Sequence, residues 1–173
     1  STIFQYDRFY NQKTIGEIHN TGPVWFAYLP VGTVTYCMLT SNNKIYVITE
    51  DGTSFDFELV TDGNAPTEPL YVAAFGNRFV VSQADTPDYY LSTINLDGTP
   101  STWFTVLGAA LFNRSAGSGV VRQLAVLHAQ LYVFTDFATD IWANIPTQFT
   151  VAGVTREFPW KLNSSYNFDY GIA

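Results

Sequence analysis

Two histidines, one cysteine and fifteen carboxylates are the residues that could do acid–base, nucleophilic or metal chemistry in this chain. His19 lies near the irregular start and His128 in a turn between two apolar runs, and nothing in the sequence supports a catalytic dyad that uses either. Ser118 sits in Ala116-Gly117-Ser118-Gly119. A nucleophile elbow needs glycine two residues ahead of the serine, and Ala116 stands there. The acidic groups gather at Glu50-Asp51-Asp56 and at Asp136-Asp140. Calcium needs several oxygens converging from one loop, and neither group has EF-hand spacing, so both read as solvated turns. No glycine-rich phosphate loop is present. Cys37 stands alone inside an apolar strand pattern, which excludes an internal disulfide and a cysteine zinc cluster and reads as a small buried hydrophobe. Asn113-Arg114-Ser115 and Asn163-Ser164-Ser165 match the glycosylation triplet, with no leader to give it meaning. The residues therefore point to no catalytic group, no cofactor and no metal. The chemistry left is that of aromatic contact. Trp160, Tyr166, Phe168 and Tyr170 gather toward the end of the chain as a possible interaction surface, with core packing as the other reading, since aromatics anchor both.

The elements that must hold these residues are strands. Aromatics make up 17% of the chain and charged residues only 13%, a composition that suits half-buried pleated sheets and excludes a disordered chain. So little charge also points to a surface partly covered by another protein. The net charge of −7 repels a phosphate backbone and disfavours non-specific DNA wrapping, and with no basic run or basic-aromatic patch no sequence-specific nucleic-acid binding is expected. The longest apolar stretch, 103–112, is too short to span a bilayer, and the opening Ser-Thr-Ile-Phe has no leader character. No stretch sustains a 3.6-residue apolar period, so very little helix is expected.

Three runs resemble one another: Lys44 to Thr49, Asn77 to Ser82 and Gln130 to Thr135. Each is β-branched and aromatic, ends on a hydroxyl residue, and is flanked by a turn and a further run. Aligning Thr49, Ser82 and Thr135 gives steps of 33 and 53 residues. The units so defined are 34–59, 70–107 and 120–144, with Trp103 to Leu107 as a candidate strand closing the second. Ser41-Asn42-Asn43 and Asp51-Gly52 are hairpin turns. Phe55, Phe57 and Leu59 alternate with Asp56 and Glu58 in period 2. Meanders of this length predict one all-β domain over 1–173, built of antiparallel blades of a partial β-propeller, with a β-sandwich as the alternative. Three blades do not close a ring, so either the two ends complete a small ring or, the favoured reading, the chain is a piece of a longer propeller that pairs with another copy through its open edges, two copies closing a six-bladed ring.

Three stretches carry a resemblance. Pro87-Asp88-Tyr89-Tyr90-Leu91-Ser92 is followed shortly by Trp103-Phe104. Leu124 to Leu127 and Leu131 to Phe134 are followed by Asp140-Ile141-Trp142. Phe158-Pro159-Trp160 leads to Tyr170-Gly171-Ile172-Ala173. Over residues 70–173 these resemble the packaged-DNA stabilisation proteins of short-tailed phages, which form the tail hub below the portal. At Asp136-Phe137-Ala138-Thr139 the chain departs from the glycine-serine turn more usual in that family. The resemblance implies a structural virion protein without catalytic activity, made in the host cytoplasm, whose partners are other tail or portal proteins. An acidic channel wall, which lets DNA slide, fits the same role.

Overall fold

The computed structural model describes residues 2–6, 10–18, 22–93, 96, 99–104, 111–113, 119–145, 147–151, 154–158 and 160–167. They form an all-β protein of sixteen antiparallel strands, with no α-helix among the described residues. Three four-stranded sheets follow one another along the chain. The first is a meander of β3 (Trp25–Val31), β4 (Val34–Ser41), β5 (Lys44–Glu50) and β6 (Phe55–Leu59). The second runs β7 (Pro69–Phe75), β8 (Arg78–Gln83), β9 (Asp88–Leu91) and β10 (Leu111–Asn113). The third runs β11 (Val121–Leu127), β12 (Gln130–Thr135), β13 (Ala138–Ala143) and β16 (Lys161–Asn167). Two hairpins complete the set. One, β1 (Thr2–Tyr6) with β2 (Gln12–Glu17), precedes the first sheet; the other, β14 (Thr147–Val151) with β15 (Val154–Phe158), interrupts the third.

The three sheets are copies in register, though not in the register of the terminal hydroxyls. Their first strands start at residues 25, 69 and 121, steps of 44 and 52. Cross-strand pairs repeat with the same steps: Leu29 faces Tyr36, Ala73 faces Val80 and Ala125 faces Tyr132. The turns between first and second strands repeat in length, and Gly32, Gly76 and His128 all open them at positive φ, 61°, 59° and 50°; the residue after is left-handed as well in the second and third, at Asn77 and Ala129. The run Lys44 to Thr49 is thus the third strand of its sheet, whereas Arg78 to Gln83 and Gln130 to Thr135 are second strands. Thr49 therefore does not correspond to Ser82. Thr135 is also one residue out of step with Ser82, because Ser82 lies on the face turned to the third sheet and Thr135 on the face turned to the second. Any strand that leaves a pleated sheet can end on a small hydroxyl, so these residues marked strand ends and not equivalent positions. The first sheet accordingly starts at Trp25, nine residues before the 34–59 unit, and the third takes its last strand from 161–167, beyond the 120–144 unit.

Alternation decides what each face meets. On β7 and β8, Val72, Phe79 and Val81 pack toward the first sheet against Leu29, Met38, Ile45 and Val47. Ala73, Phe75 and Val80 point the other way, onto Val121, Leu124, Leu131 and Val133 of the third. The middle sheet is therefore buried on both faces, as a propeller blade is between its neighbours. A two-sheet sandwich buries only one face of each sheet. First strands also lie beside first strands, β3 next to β7 and β7 next to β11, the arrangement of inner strands around an axis. Among the described residues no sheet closes into a ring.

Trp103 is not in a strand. Pro100–Thr102 forms a 3-10 turn, and the indole that follows it is fully buried between the first two sheets. Its Nε1 donates to the Leu96 carbonyl at 3.2 Å, and its ring meets Tyr36 edge-on at 5.2 Å and lies over Phe79 at 6.2 Å. An apolar pair that reads as strand by composition is here a wedge presented by a turn. The wedge is tied down by Ser101 Oγ, which donates to Glu58 Oε1 at 2.9 Å, and by the Phe104 N–H, which donates to Asp62 Oδ2 at 2.7 Å.

Candidate interaction surface

The chemistry-bearing residues are spent on structure. Asp51 caps its own turn, accepting from the Ser54 N–H at 2.7 Å and the Thr53 N–H at 2.8 Å. Those bonds, the Ser54 backbone bond first, hold its carboxyl well below the usual carboxylate range. Asp56 stands on the neighbouring strand opposite Thr49, and Glu50 opposite Phe55. Asp136 accepts from the Arg122 guanidinium and, at 2.9 Å, from the Val120 N–H, which pins the entry of β11. The Arg122 hydrogen bond, then the Val120 N–H, lowers the Asp136 pKa. Asp140 lies apart from Asp136, buried on the face of β13 turned to the second sheet. Among the described residues no three histidine, cysteine or carboxylate groups come close enough to hold a metal ion. His128 is exposed in its turn, while His19 and Ser118 lie outside the described residues. Cys37 is half-buried, and burial pushes its thiol pKa up.

The aromatic group toward the chain end divides. Trp160 is 1% exposed and packs edge-on against Phe75 at 4.9 Å, within the core between the second and third sheets. It belongs to the core and not to a surface, because the strand it leads into, β16, is the last strand of the third sheet and brings the indole onto the covered face. Tyr166 is exposed on β16, on the opposite face. Phe168 and Tyr170 lie outside the described residues.

Two surfaces carry aromatics outside the core clusters, an exposed pair on the first sheet and a half-buried pair on the third. The first is on the first sheet, on the face turned away from the second. There the β1–β2 hairpin covers the outer strands, with Ile3, Ile15 and Ile18 packed on Leu39, Tyr46 and Ile48. Gly16 lets it come that close, since a Cβ at this position would overlap the Phe57 ring. The cover stops short of the innermost strand. Phe26 and Tyr28, two residues apart on that strand, remain 67% and 68% exposed. The signal was present in Val24 to Leu29, where Phe26 and Tyr28 alternate with Trp25, Ala27 and Leu29. It is a strand with apolar residues on both faces, the pattern of one covered on both sides.

The second surface is the outer face of the third sheet. Tyr132 and Phe134 stack there, ring centroids 6.2 Å apart, with Ala125 and Ile141 beside them and Tyr166 on the flanking strand. Among the described residues no buried core cluster includes this face.

No protein-family model matches the chain, and no curated protein matches it. No helix among the described residues is long and apolar enough to cross a membrane.

Proposed function

We propose that the chain is a structural virion component, a propeller part of a phage tail hub that plugs or stabilises the DNA exit channel through protein–protein contacts. The observation that carries the reading is the Phe26–Tyr28 pair. Two large aromatics held bare on a rigid strand cost solubility, and exposed apolar area of this kind marks a contact with another protein. The low charge content supports the same reading, and so does the resemblance of residues 87–92, 124–134 and 140–142 to the blades of the tail-hub proteins. The net charge of −7 suits a wall past which DNA slides. The role asks for no catalytic group, cofactor or metal.

The test is composition. Particles of the phage that encodes the chain should contain its peptides in fixed ratio to portal and tail proteins when the purified particles are digested and quantified. Particles lacking it would overturn the proposal. A second reading, a module that holds a glycan or peptide, draws on the same pair, because two exposed aromatic side chains on one face of a strand also offer rings for stacking. Saturable sugar binding by a monomer, lost in Tyr28→Ala, would favour it over the hub.

A further inference from the structure

We infer that the outer face of the third sheet is the seat of a second copy of this chain, docked head-to-tail by the Phe26–Tyr28 side of its first sheet. The inference rests on the assembly role proposed above and names the partner and the two surfaces.

The register carries it. In the first sheet, Leu29 and Tyr36 form a cross-strand pair that packs onto the following sheet. In the second, 44 residues on, Ala73 and Val80 form the same pair and pack onto the following sheet. In the third, 52 residues further, Ala125 and Tyr132 form the same pair on the same face, with Phe134 stacked beside Tyr132. Among the described residues that face belongs to no core cluster. Among the described residues the third sheet thus has the following-face of a blade with no further sheet packed on it. The same interface has now been built twice within one chain, and its sequence continues it a third time.

What such a face meets is also fixed by the two interfaces already made. In both, a following-face receives the preceding-face of the next sheet, first strand beside first strand. Among the described residues the preceding-face left over is that of the first sheet. Its outer strands are closed by the β1–β2 hairpin, and its inner strand offers Phe26 and Tyr28 at 67% and 68% exposure. Among the described residues, then, one face of each kind is left over, that of the first sheet along its inner strand. Two unlike faces on one molecule make a heterologous contact, which closes into a ring if the rotation allows and runs into a filament if it does not.

Complementation tests this directly. Tyr28→Glu sits on an exposed side chain and spares the fold; Tyr132→Glu damages the other face, and Tyr132→Ser serves as the milder form should the charge unfold it. Native-mass measurement or analytical sedimentation across a concentration series is the readout, with circular dichroism confirming that each variant is folded. The wild-type chain should associate. Each single variant should lose affinity by at least about 30-fold, the effect of removing a central aromatic contact. Mixing the two variants should restore one intact contact and give a 1:1 heterodimer that grows no further. A wild-type chain that stays at 19.3 kDa throughout overturns the inference. So does association that survives both substitutions, or folded variants whose mixture shows no heterodimer, the result expected of like-with-like pairing. Failure here leaves particle composition untouched, so a monomeric chain found in particles refutes the head-to-tail contact and not the virion role.

Discussion

The turn between first and second strands gives the sharpest test of the repeat. Gly32 and Gly76 occupy equivalent positions, both at positive φ, 61° and 59°, although the residue that follows is left-handed only after Gly76, at Asn77 (φ 57°). Their surroundings differ more sharply. A Cβ at Gly32 would meet nothing within 4 Å. A Cβ at Gly76 would stand 2.8 Å from Asn144 Oδ1 and 2.8 Å from Trp160 Nε1, on the third sheet. Gly32→Ala should then cost only the left-handed strain of a side chain, about 1 kcal/mol. Gly76→Ala carries the same strain plus overpacking against two side chains, about 1–3 kcal/mol more. For a chain of this length each kcal/mol moves the melting temperature by about 2–4 °C. The pair should therefore separate in thermal or urea unfolding, with Gly76→Ala about 2–12 °C below Gly32→Ala. Equal losses would refute the seating of this turn against Trp160, and with it the packing of the second sheet on the third.

Further outcomes follow from the same geometry. His128→Gly, at the third equivalent turn, should stabilise the protein by about 1 kcal/mol in urea unfolding, since it removes the left-handed strain of a non-glycine residue. Gly16→Ala should lift the β1–β2 hairpin from Phe57, read as faster hydrogen exchange and proteolysis confined to residues 2–18 and the outer strands of the first sheet. Trp103→Ala should cost about 3–5 kcal/mol, because it empties a site fully buried between two sheets, and an unchanged urea midpoint would contradict the wedge. Asp136 is held below the usual carboxylate range in the folded chain, so its contribution is present above the unfolded value of about 4 and fades as pH falls through the lower folded value. Asp136→Asn should accordingly narrow its stability gap to wild type as pH is taken from 6 toward 2, and a gap independent of pH would exclude the Arg122 and Val120 contacts.

Much of the architecture was legible because strands announce themselves locally. Asn42 and Asn43 adopt left-handed backbone at φ 48° and 58°, as a tight asparagine turn requires. Phe55 and Phe57 share the covered face that their alternation with Asp56 and Glu58 implies. The repeat was harder to phase, because equivalent positions share burial and not letters. Trp25-Ala27-Leu29 corresponds to Pro69-Tyr71-Ala73, and nothing in the residue types announces it. The terminal hydroxyls offered a chemical likeness instead, and it fell on different strands. Trp103 and Trp160 show the same limit. An indole reaches the core equally well from a turn, from the approach to an edge strand or from a strand centre, so its burial depends on where the sheets stack. The exposed pair Phe26 and Tyr28 lay in a stretch that reads as an ordinary strand, because the reach of the β1–β2 cover is set by tertiary packing. The chain-end aromatics drew attention as a cluster in sequence, whereas Trp160 and Tyr166 lie on opposite faces of one sheet.

The central claim is that Phe26 and Tyr28 are contact residues of an assembly built from repeated sheets. Hydroxyl-radical footprinting of the dilute and the assembled chain tests it most directly. Phe26 and Tyr28 should oxidise readily in the dilute chain and become protected on assembly, while Trp103 and Trp160 stay protected in both. Equal oxidation of Phe26 and Tyr28 in the two states would contradict it.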